Sequence, residues 1–263
     1  MTDRVRAKKS FGQHFLKNED IAKQIVDVLI LPENVKQVLE IGPGMGVLTK
    51  YLLEKKEFET FVSEIDFESV EFLQRHFPAL KKNILEGDFL EIDIKRQFKS
   101  ALAIIGNFPY NISSQILFKV LENKNQIPVL VGMFQKEVAV RVTSKPGNRD
   151  YGILSVLLQA WYDLEYLFTV NETEFSPPPK VKSAVIRLTR KNNTSIGCDE
   201  NNFKKVVKQC FNQRRKTLRN ALRSLVNPEQ LNSLPYLDLR AEALSWQQFM
   251  ELTIAIKLNY STS

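Results

Sequence analysis

The residues best suited to chemistry lie in one short loop, Asn107-Phe108-Pro109-Tyr110, which closely follows the apolar run Ala101–Ile105. An exocyclic amino group such as N6 of adenine is a poor nucleophile, because its lone pair is delocalised into the ring. Two acceptors aimed at its protons, the Asn107 side-chain oxygen and the Phe108 carbonyl, favour the pyramidal geometry that can attack. Pro109 fixes the loop, and Tyr110 offers a ring face on which a base can stack. We therefore predict a catalytic loop here, in preference to a simple Asn-Pro turn.

A glycine-rich turn follows an earlier predicted strand. The glycines come straight after Gln37–Ile41, and they are Gly42, Gly44 and Gly46. Glycine there lets the backbone turn tightly and approach a ligand. The G-x-G-x-G spacing differs from the dinucleotide pattern. Glu64 lies 22 positions after Gly42, where a carboxylate can take the two hydroxyls of a ribose, although spacing alone leaves Asp66 as an alternative.

A second carboxylate, Asp88, follows the next predicted strand and can accept a hydrogen bond from an adenine amino group. Phe89 beside it can pack on the ring, and we include Ile65, next to Glu64, among the candidate contacts. Each acidic residue could instead cap a helix. Because parallel strands end at one edge of a sheet, the combination favours an adenosine-containing cofactor and gives no indication of a nicotinamide.

The elements that must position these residues alternate between strand and helix. Predicted strands are Gln37–Ile41, Thr60–Ile65, Asn83–Glu86, Ala101–Ile105 and Val129–Phe134. Predicted helices are Asn18–Ile30, Val47–Lys55, Phe67–His76 and Ser113–Leu121. This alternation predicts an α/β fold with a mostly parallel sheet. Tyr162–Val170 and Val181–Thr189 have no room for a crossover helix between them, so we expect an antiparallel pair at one edge.

A polar, turn-rich segment, residues 191–197, is the best linker candidate. Beyond it the pattern is helical, over Phe203–Phe211, Thr217–Leu225 and Trp246–Leu258. We therefore predict a catalytic domain over residues 1–190 and a small helical domain over residues 198–263.

The net charge of +7 is concentrated in two places. Residues 203–223 hold eight basic and no acidic side chains, and residues 1–17 sum to +4, so the rest of the chain sums to −5. Such patches, with aromatic residues interleaved, favour a nucleic acid partner over a merely solvated helix face. Two cysteines and no Cys/His cluster predict neither a disulfide framework nor a metal site. The N-terminus lacks a signal-peptide pattern and no apolar run is long enough to cross a membrane, so we expect a cytoplasmic protein.

Six motifs occur together and in order: SFGQHFL from Ser10, EIGPGMG from Glu40, NFPYNISS from Asn107, QKEVAVR from Gln135, FSPPPKV from Phe175 and FNQRRKTL from Phe211. In this combination the chain resembles the small-subunit ribosomal RNA adenine dimethyltransferases, the KsgA family. The resemblance implies a class I methyltransferase (Rossmann-like) fold, S-adenosyl-L-methionine as cofactor, and dimethylation of two adjacent adenosines near the 3′ end of small-subunit rRNA.

Residue by residue, the resemblance implies three groups of contacts. Gln13, Phe15 and Leu16 would close over cofactor and target; Gly42 to Gly46 would face the methionine part, Glu64 the ribose and Asp88 the adenine. Catalysis would fall to Asn107, Phe108, Pro109 and Tyr110, with Phe175 on the opposite side of the target base, and Asn107 would also contact the cofactor. We place His14 beside the cofactor in a packing or loop hydrogen-bonding role. The RNA contacts would be Lys8, Lys9, Lys182, Arg214, Arg215, Lys216 and Arg219.

Lys182 departs from the resemblance, because the family commonly has an acidic residue after PPPKV. The partner implied is rRNA within the small subunit or its precursor, bound by a monomer that uses no metal and no membrane. The alternatives are a large-subunit rRNA dimethyltransferase of the resistance type, a DNA adenine methyltransferase, and a nucleic-acid-binding assembly or transcription factor on the same scaffold.

Overall fold

In the computed structural model, which describes residues 5–8, 11–80 and 82–256, the chain divides into two compact units. The first consists of Met1–Ala139 and Leu164–Arg190, and the second of Val140–Asp163 and Lys191–Ser263. The predicted linker, 191–197, contains neither helix nor strand. The second unit also takes in residues 140–163, which the sequence pattern assigns to the catalytic domain; the limits 1–190 and 198–263 stay a prediction.

A seven-stranded sheet forms the frame of the first unit. The strands of the chain are β1 (Phe15–Leu16), β2 (Gln37–Ile41), β3 (Glu59–Glu64), β4 (Ile84–Glu86), β5 (Leu102–Asn107), β6 (Val129–Gln135), β7 (Tyr162–Val170), β8 (Phe175–Ser176) and β9 (Ser183–Arg190). The sheet order is β4-β3-β2-β5-β6-β9-β7. Strands β4, β3, β2, β5 and β6 pair in parallel, and β9 pairs antiparallel with β6. The predicted α/β fold, with an antiparallel edge on a mostly parallel sheet, is confirmed.

The parallel arrangement decides where the candidate residues meet. Strands β2 and β5 are largely buried, whereas β4 at the end of the sheet is partly exposed. Because β2, β3, β4 and β5 run parallel, their carboxyl ends reach the same edge of the sheet. Gly42, Glu64, Gly87 and Asn107 all lie at that edge, each at or just after the last residue of its strand. The sheet therefore brings together residues from four separate parts of the sequence.

The chain forms the helices α1 (Glu19–Asp27), α2 (Thr49–Glu54), α3 (Phe67–His76), α4 (Ile94–Gln97), α5 (Ser113–Glu122), α6 (Lys136–Thr143), α7 (Ile153–Gln159), α8 (Glu200–Asn212), α9 (Leu218–Ala221), α10 (Pro228–Ser233) and α11 (Trp246–Ala255). Asn18 caps α1 as predicted, because its side-chain oxygen accepts from the amides of Asp20 and Ile21. The predicted extension of α1 to Ile30 is wrong. The helix ends three residues earlier, because the Leu29 amide bonds to the Val26 carbonyl and so closes the last turn with a tighter hydrogen bond.

A two-stranded antiparallel sheet, β1 with β8, was not predicted. It pairs Phe15 with Ser176 and Leu16 with Phe175, and so fastens the N-terminal segment to the FSPPPKV segment. Strands of two residues leave no alternation that a sequence pattern could reveal.

The second unit is helical and packs around α8. That helix buries Phe203, Val206, Val207 and Cys210, while Lys205 and Lys208 are exposed. The predicted helix Thr217–Leu225 is too long. Helix α9 covers four residues only, and turns occupy 222–225 before Asn227 caps α10. Within the parts of the chain that the structure describes, no helix is long and apolar enough to span a membrane.

Candidate active site

A cavity of about 210 Å³ opens at the carboxyl edge of the parallel strands. It is lined by Phe11–Phe15 from the N-terminal segment, by Ile41, Gly42 and Gly44, by Ser63–Ile65, by Gly87–Phe89, and by Asn107–Ile112. The cavity therefore collects the predicted cofactor residues Gln13, His14, Gly42, Gly44, Glu64, Ile65, Asp88, Phe89 and Asn107. It also collects Phe108, Pro109 and Tyr110 of the predicted catalytic loop.

A neighbouring cavity of about 220 Å³ contains the two remaining predicted cofactor residues, Leu16 and Gly46. Gly42 and Asn107 line both cavities, so the two meet at the glycine turn and the catalytic loop. Gly44 has a φ of 55°, and a Cβ built there would lie 2.7 Å from the Phe15 ring. The residue must be glycine because the N-terminal segment passes this close to the turn.

Glu64 organises the glycine turn from the next strand. The residue is 4% exposed. One carboxylate oxygen accepts from the Gly44 amide at 3.0 Å, and the other accepts from the amides of Ile65 and Asp66, both at 2.9 Å. Burial raises the pKa of Glu64, and the backbone amides partly offset that rise. Of the two carboxylates that spacing could not separate, Glu64 lines the cavity, whereas Asp66 does not.

Asp88 uses one carboxylate oxygen as a helix cap, accepting from the Leu90 amide at 2.8 Å. Because Asp88 lines the cavity, its second carboxylate oxygen is available to accept a hydrogen bond from a ligand. Lys119 supports this part of the wall, because its ammonium donates to the Leu90 carbonyl at 2.6 Å and lies 5.2 Å from the centre of the Phe89 ring. Desolvation lowers the pKa of Lys119.

Ser63 is a cavity residue that sequence reasoning missed. Its hydroxyl is buried and, among the described residues, has no hydrogen-bond partner. A buried hydroxyl without a partner carries a free-energy cost that a bound ligand can remove. Together with the Glu64 carboxylate, whose oxygens can accept further hydrogen bonds, it makes this end of the cavity suited to a hydroxyl-rich group such as ribose. The sequence could have indicated Ser63, because it directly precedes Glu64 at the end of the same strand.

Asn107 is held in one orientation. Its side-chain nitrogen donates to the His14 carbonyl at 2.9 Å. A carbonyl only accepts, so this bond identifies the nitrogen and leaves the side-chain oxygen of Asn107 as the acceptor for a substrate amino group. Phe108, next in the chain, is buried against Phe134 with the ring centres 5.0 Å apart, which fixes the backbone of the loop.

Tyr110 and His14 lie next to each other in the cavity lining. The Tyr110 hydroxyl hydrogen-bonds to the Ser183 hydroxyl at 2.6 Å, and the ring lies 5.5 Å from that of His14. Burial raises the pKa of Tyr110, so the phenol stays neutral. His14 donates from Nδ1 to the Pro177 carbonyl at 2.8 Å, in keeping with its predicted loop hydrogen-bonding role.

Phe175 does not join the other predicted catalytic residues. Its side chain is 1% exposed, lies in the apolar core with Leu16, and does not line the cavity. The pairing of β1 with β8 turns it inward. Its role against a target base therefore stays a prediction that would require the side chain to leave the core.

A second buried carboxyl group, that of Glu40, lies on β2 just before the glycine turn. It lines the neighbouring cavity and accepts from the Thr49 hydroxyl at 2.5 Å. Burial raises its pKa to about 8. Glu40 is therefore mostly protonated at neutral pH.

The predicted RNA-binding cations are in different states. Arg215 and Lys216 are exposed, as is Lys182, whose backbone carbonyl accepts from the Lys136 amide. Three other predicted cations are paired: Arg214 with Glu242 at 3.5 Å, Arg219 with Asp238 at 3.4 Å, and Lys8 with Asp66 and Glu68. Lys9 lies outside the described residues. No cluster of His, Cys, Asp or Glu in the described ranges could hold a metal ion.

Comparison with known proteins shows the family to which the chain belongs. The family model for ribosomal RNA adenine dimethylase matches residues 4–256. The chain is 59% identical over 252 residues to the ribosomal RNA small subunit methyltransferase A of Cytophaga hutchinsonii, covering 95% of this chain and 97% of that protein.

Two solved structures share the fold. A dimethyladenosine transferase from Plasmodium falciparum has a TM-score of 0.76 at 26% identity, covering 91% of this chain and 96% of the other. The 23S rRNA methyltransferase ErmE has a TM-score of 0.69 at 24% identity, covering 92% and 99%, which shows the fold alone. The predicted family, enzyme class and cofactor are confirmed: the chain belongs to the ribosomal RNA adenine dimethylase family of S-adenosylmethionine-dependent methyltransferases.

Proposed function

We propose that this enzyme transfers methyl groups from S-adenosylmethionine to N6 of two adjacent adenosines near the 3′ end of small-subunit rRNA, and places two methyl groups on each. The observation that carries the proposal is the orientation of Asn107. Its nitrogen is committed to the His14 carbonyl, so its oxygen faces substrate at the junction of the two cavities.

The catalytic loop supplies the acceptors that the reaction needs. The Asn107 oxygen and the Phe108 carbonyl accept the two protons of the adenine amino group, which directs the nitrogen lone pair toward the methyl donor. Tyr110 provides the face on which the extruded base stacks. S-adenosylmethionine supplies a methyl group activated by its positively charged sulfur. As the nitrogen attacks, its proton becomes acidic enough to pass to water, so the loop needs no strong general base.

The other end of the cavity fits the nucleoside part of the cofactor. Glu64 accepts from the ribose hydroxyls while its three backbone amides hold it in place. The free oxygen of Asp88 accepts from the adenine amino group, and Phe89 packs against the ring. These residues match the hydrogen-bonding groups of an adenosine in type and order along the sheet edge.

Arginines of the second unit fit the phosphates of rRNA. Arg149, Arg214, Arg215 and Arg240 line an open pocket of about 370 Å³, together with Asp150 and Glu242. Four guanidinium groups against two carboxylates leave a positive surface, and guanidinium binds phosphate in a bidentate manner. Sequence reasoning found Arg214 and Arg215 in a charge run. It missed Arg149 and Arg240, because they stand among acidic or neutral neighbours.

The small subunit is favoured over the large subunit by the 59% identity to a protein named for the former. We propose that the enzyme acts as a cytoplasmic monomer on the small subunit or its precursor. A purely nucleic-acid-binding role is disfavoured, because Asn107 and Tyr110 keep the arrangement that chemistry needs.

The proposal is tested by methyl transfer from labelled S-adenosylmethionine to small subunits that lack the modification, with free large-subunit rRNA as the competing substrate. We expect N6,N6-dimethyladenosine in small-subunit rRNA only. Product confined to large-subunit rRNA would support the resistance-type alternative. No transfer to either RNA, with cofactor binding intact, would support the binding-factor alternative.

A further inference from the structure

The cavity-lining part of the N-terminal segment is fastened at two separate places. We refer to Phe11, Gly12, Gln13, His14 and Phe15 as the N-terminal wall, since all five line the main cavity. At its far end the wall is held by the Asn107 bond to the His14 carbonyl and by the pairing of β1 with β8. At its near end the attachment passes through the side chain of Asp66, which has no part in the function proposed above.

Both carboxylate oxygens of Asp66 accept hydrogen bonds from residues at the near end of the N-terminal wall. Oδ1 accepts from the Lys8 ammonium at 2.5 Å, and Oδ2 accepts from the Gln13 amide nitrogen at 3.3 Å and from the Ser69 hydroxyl at 3.1 Å. The Gln13 side-chain oxygen in turn accepts from the Lys8 backbone amide at 2.8 Å. The Lys8 carbonyl accepts from the amides of Phe11 and Gln13. These bonds form one connected network.

The Asp66 carboxylate is buried, and the network supplies the hydrogen bonds that stabilise its charge. The side chain is 1% exposed, and burial by itself would raise its pKa. The hydrogen bonds from Lys8, Gln13 and Ser69 outweigh the burial and lower the pKa instead. A buried charge is tolerated only where such partners surround it.

The position of Asp66 would normally give it a different task. It is the N-cap residue of α3, where an aspartate usually accepts from a backbone amide of the first turn. Here the side chain makes no capping hydrogen bond. Its backbone amide donates to Glu64, two residues earlier. Asp66 therefore links Glu64, through its backbone amide, to the N-terminal wall, through its side chain.

We propose that Asp66 is a positioning residue that holds the N-terminal wall in place against the cofactor cavity. The inference rests on the proposed cofactor site in that cavity. If only the fraction of molecules with the wall in place binds cofactor, the apparent dissociation constant rises as that fraction falls. Asp66 makes no contact with Asn107 or Phe108, so turnover of the bound complex is unaffected.

Asp66→Asn tests the anchor with little change in shape. One oxygen becomes an NH2 group, which must face either the Lys8 ammonium or the Gln13 amide nitrogen, donor against donor. We expect the dissociation constant for S-adenosylmethionine to rise about tenfold in calorimetry, and kcat at saturating cofactor to stay within about twofold. Lys8→Met removes the partner cation, whose side chain is 33% exposed, and should weaken cofactor binding likewise.

Glu68→Gln is the matched control. Glu68 is also an ion-pair partner of Lys8, at 3.1 Å, but its side chain is 54% exposed. An exposed pair contributes little to stability, so we expect unchanged affinity. If Glu68→Gln weakened binding as much as Asp66→Asn, the effect would come from local charge, and the proposal would be wrong.

Hydrogen exchange of the cofactor-free protein gives a second readout. The amides of Phe11 and Gln13 should exchange faster in Asp66→Asn and Lys8→Met than in the wild type. Unchanged exchange, unchanged affinity in Lys8→Met, or a loss of kcat equal to the loss of affinity would overturn the positioning role. If the wild type failed to bind S-adenosylmethionine, the proposed function would be at fault, while exchange would still decide whether Asp66 anchors the wall.

Discussion

The substitution Glu64→Gln should weaken cofactor binding more than it lowers the stability of the fold. The substitution keeps the shape of a side chain whose two oxygens accept three backbone amides, those of Gly44, Ile65 and Asp66. In glutamine one of these oxygens becomes a donor. Either the Gly44 amide or the amides of Ile65 and Asp66 then face an NH2 group and lose their acceptor.

The magnitude follows from the number of bonds affected. An unmatched buried donor costs about 1–3 kcal/mol, and hydrogen bonds to a charged acceptor contribute about 1.5–3 kcal/mol. The loss of the carboxylate toward ribose together with disorder of the glycine turn should therefore weaken cofactor binding ten- to hundredfold, about 1.4–2.8 kcal/mol. Fold stability should change less, because burial raises the pKa of Glu64 and glutamine removes that buried charge.

The assay is calorimetric titration of Glu64→Gln with S-adenosylmethionine, beside a thermal unfolding measurement. Glu68→Gln, an exposed carboxylate four residues away, is the control and should bind as the wild type does. A dissociation constant for Glu64→Gln within twofold of the wild type would refute the assignment of Glu64 to the ribose. Loss of binding accompanied by global unfolding would make Glu64 a structural residue only.

Three further predictions concern catalysis, pH dependence and RNA binding. Asn107→Ala should lower kcat by about 10²–10³, as measured by single-turnover methyl transfer. Cofactor affinity, measured by calorimetry, should fall by much less, because the variant loses only the bond to the His14 carbonyl that helps to hold the N-terminal wall. Since burial raises the pKa of Glu40 from 4.5 to about 8, the unfolded state releases this proton first, and stability falls as pH rises. Between about pH 5 and 8, unfolding free energy should drop by about 3 kcal/mol more in the wild type than in Glu40→Gln. Replacing Arg215 and Lys216 with alanine should reduce the salt dependence of RNA binding, lowering the slope of log K against log salt by about 1.5.

Each of these has a contrary result. Equal losses of kcat and cofactor affinity in Asn107→Ala would make Asn107 a cofactor ligand. Parallel pH profiles for Glu40→Gln and the wild type would mean that Glu40 is ionised in the fold. An unchanged salt slope would remove Arg215 and Lys216 from the RNA interface, and Lys205→Ala with Lys208→Ala on α8 serves as the charge-matched control.

The sheet could be predicted from the sequence because its central strands, β2, β5 and β6, are short apolar runs bounded by turn residues. Gln37–Ile41 and the helix Phe67–His76 have the bounds that the pattern indicates. Helix α7 was missed, because its residues are almost uniformly apolar and show no helical period.

The strand-end residues of the site could be predicted for the same reason. Once the strands are parallel, Gly42, Glu64, Asp88 and Asn107 must meet at one edge. The contacts of the N-terminal wall could not be predicted, since the ion pair of Lys8 with Asp66 joins residues 58 positions apart. The burial of Phe175 depends on the two-residue pairing of β1 with β8, which leaves no sequence signal.

The central claim is that this chain dimethylates adjacent adenosines of small-subunit rRNA through Asn107. Mass spectrometry of rRNA nucleosides, from cells with and without the chain and from cells carrying Asn107→Ala, tests it most directly. We predict two N6,N6-dimethyladenosines near the 3′ end of the small-subunit rRNA with the wild type, none without the chain, and at most a small residual amount with the variant. Small-subunit rRNA that contains the modified adenosines in all three strains would contradict the account.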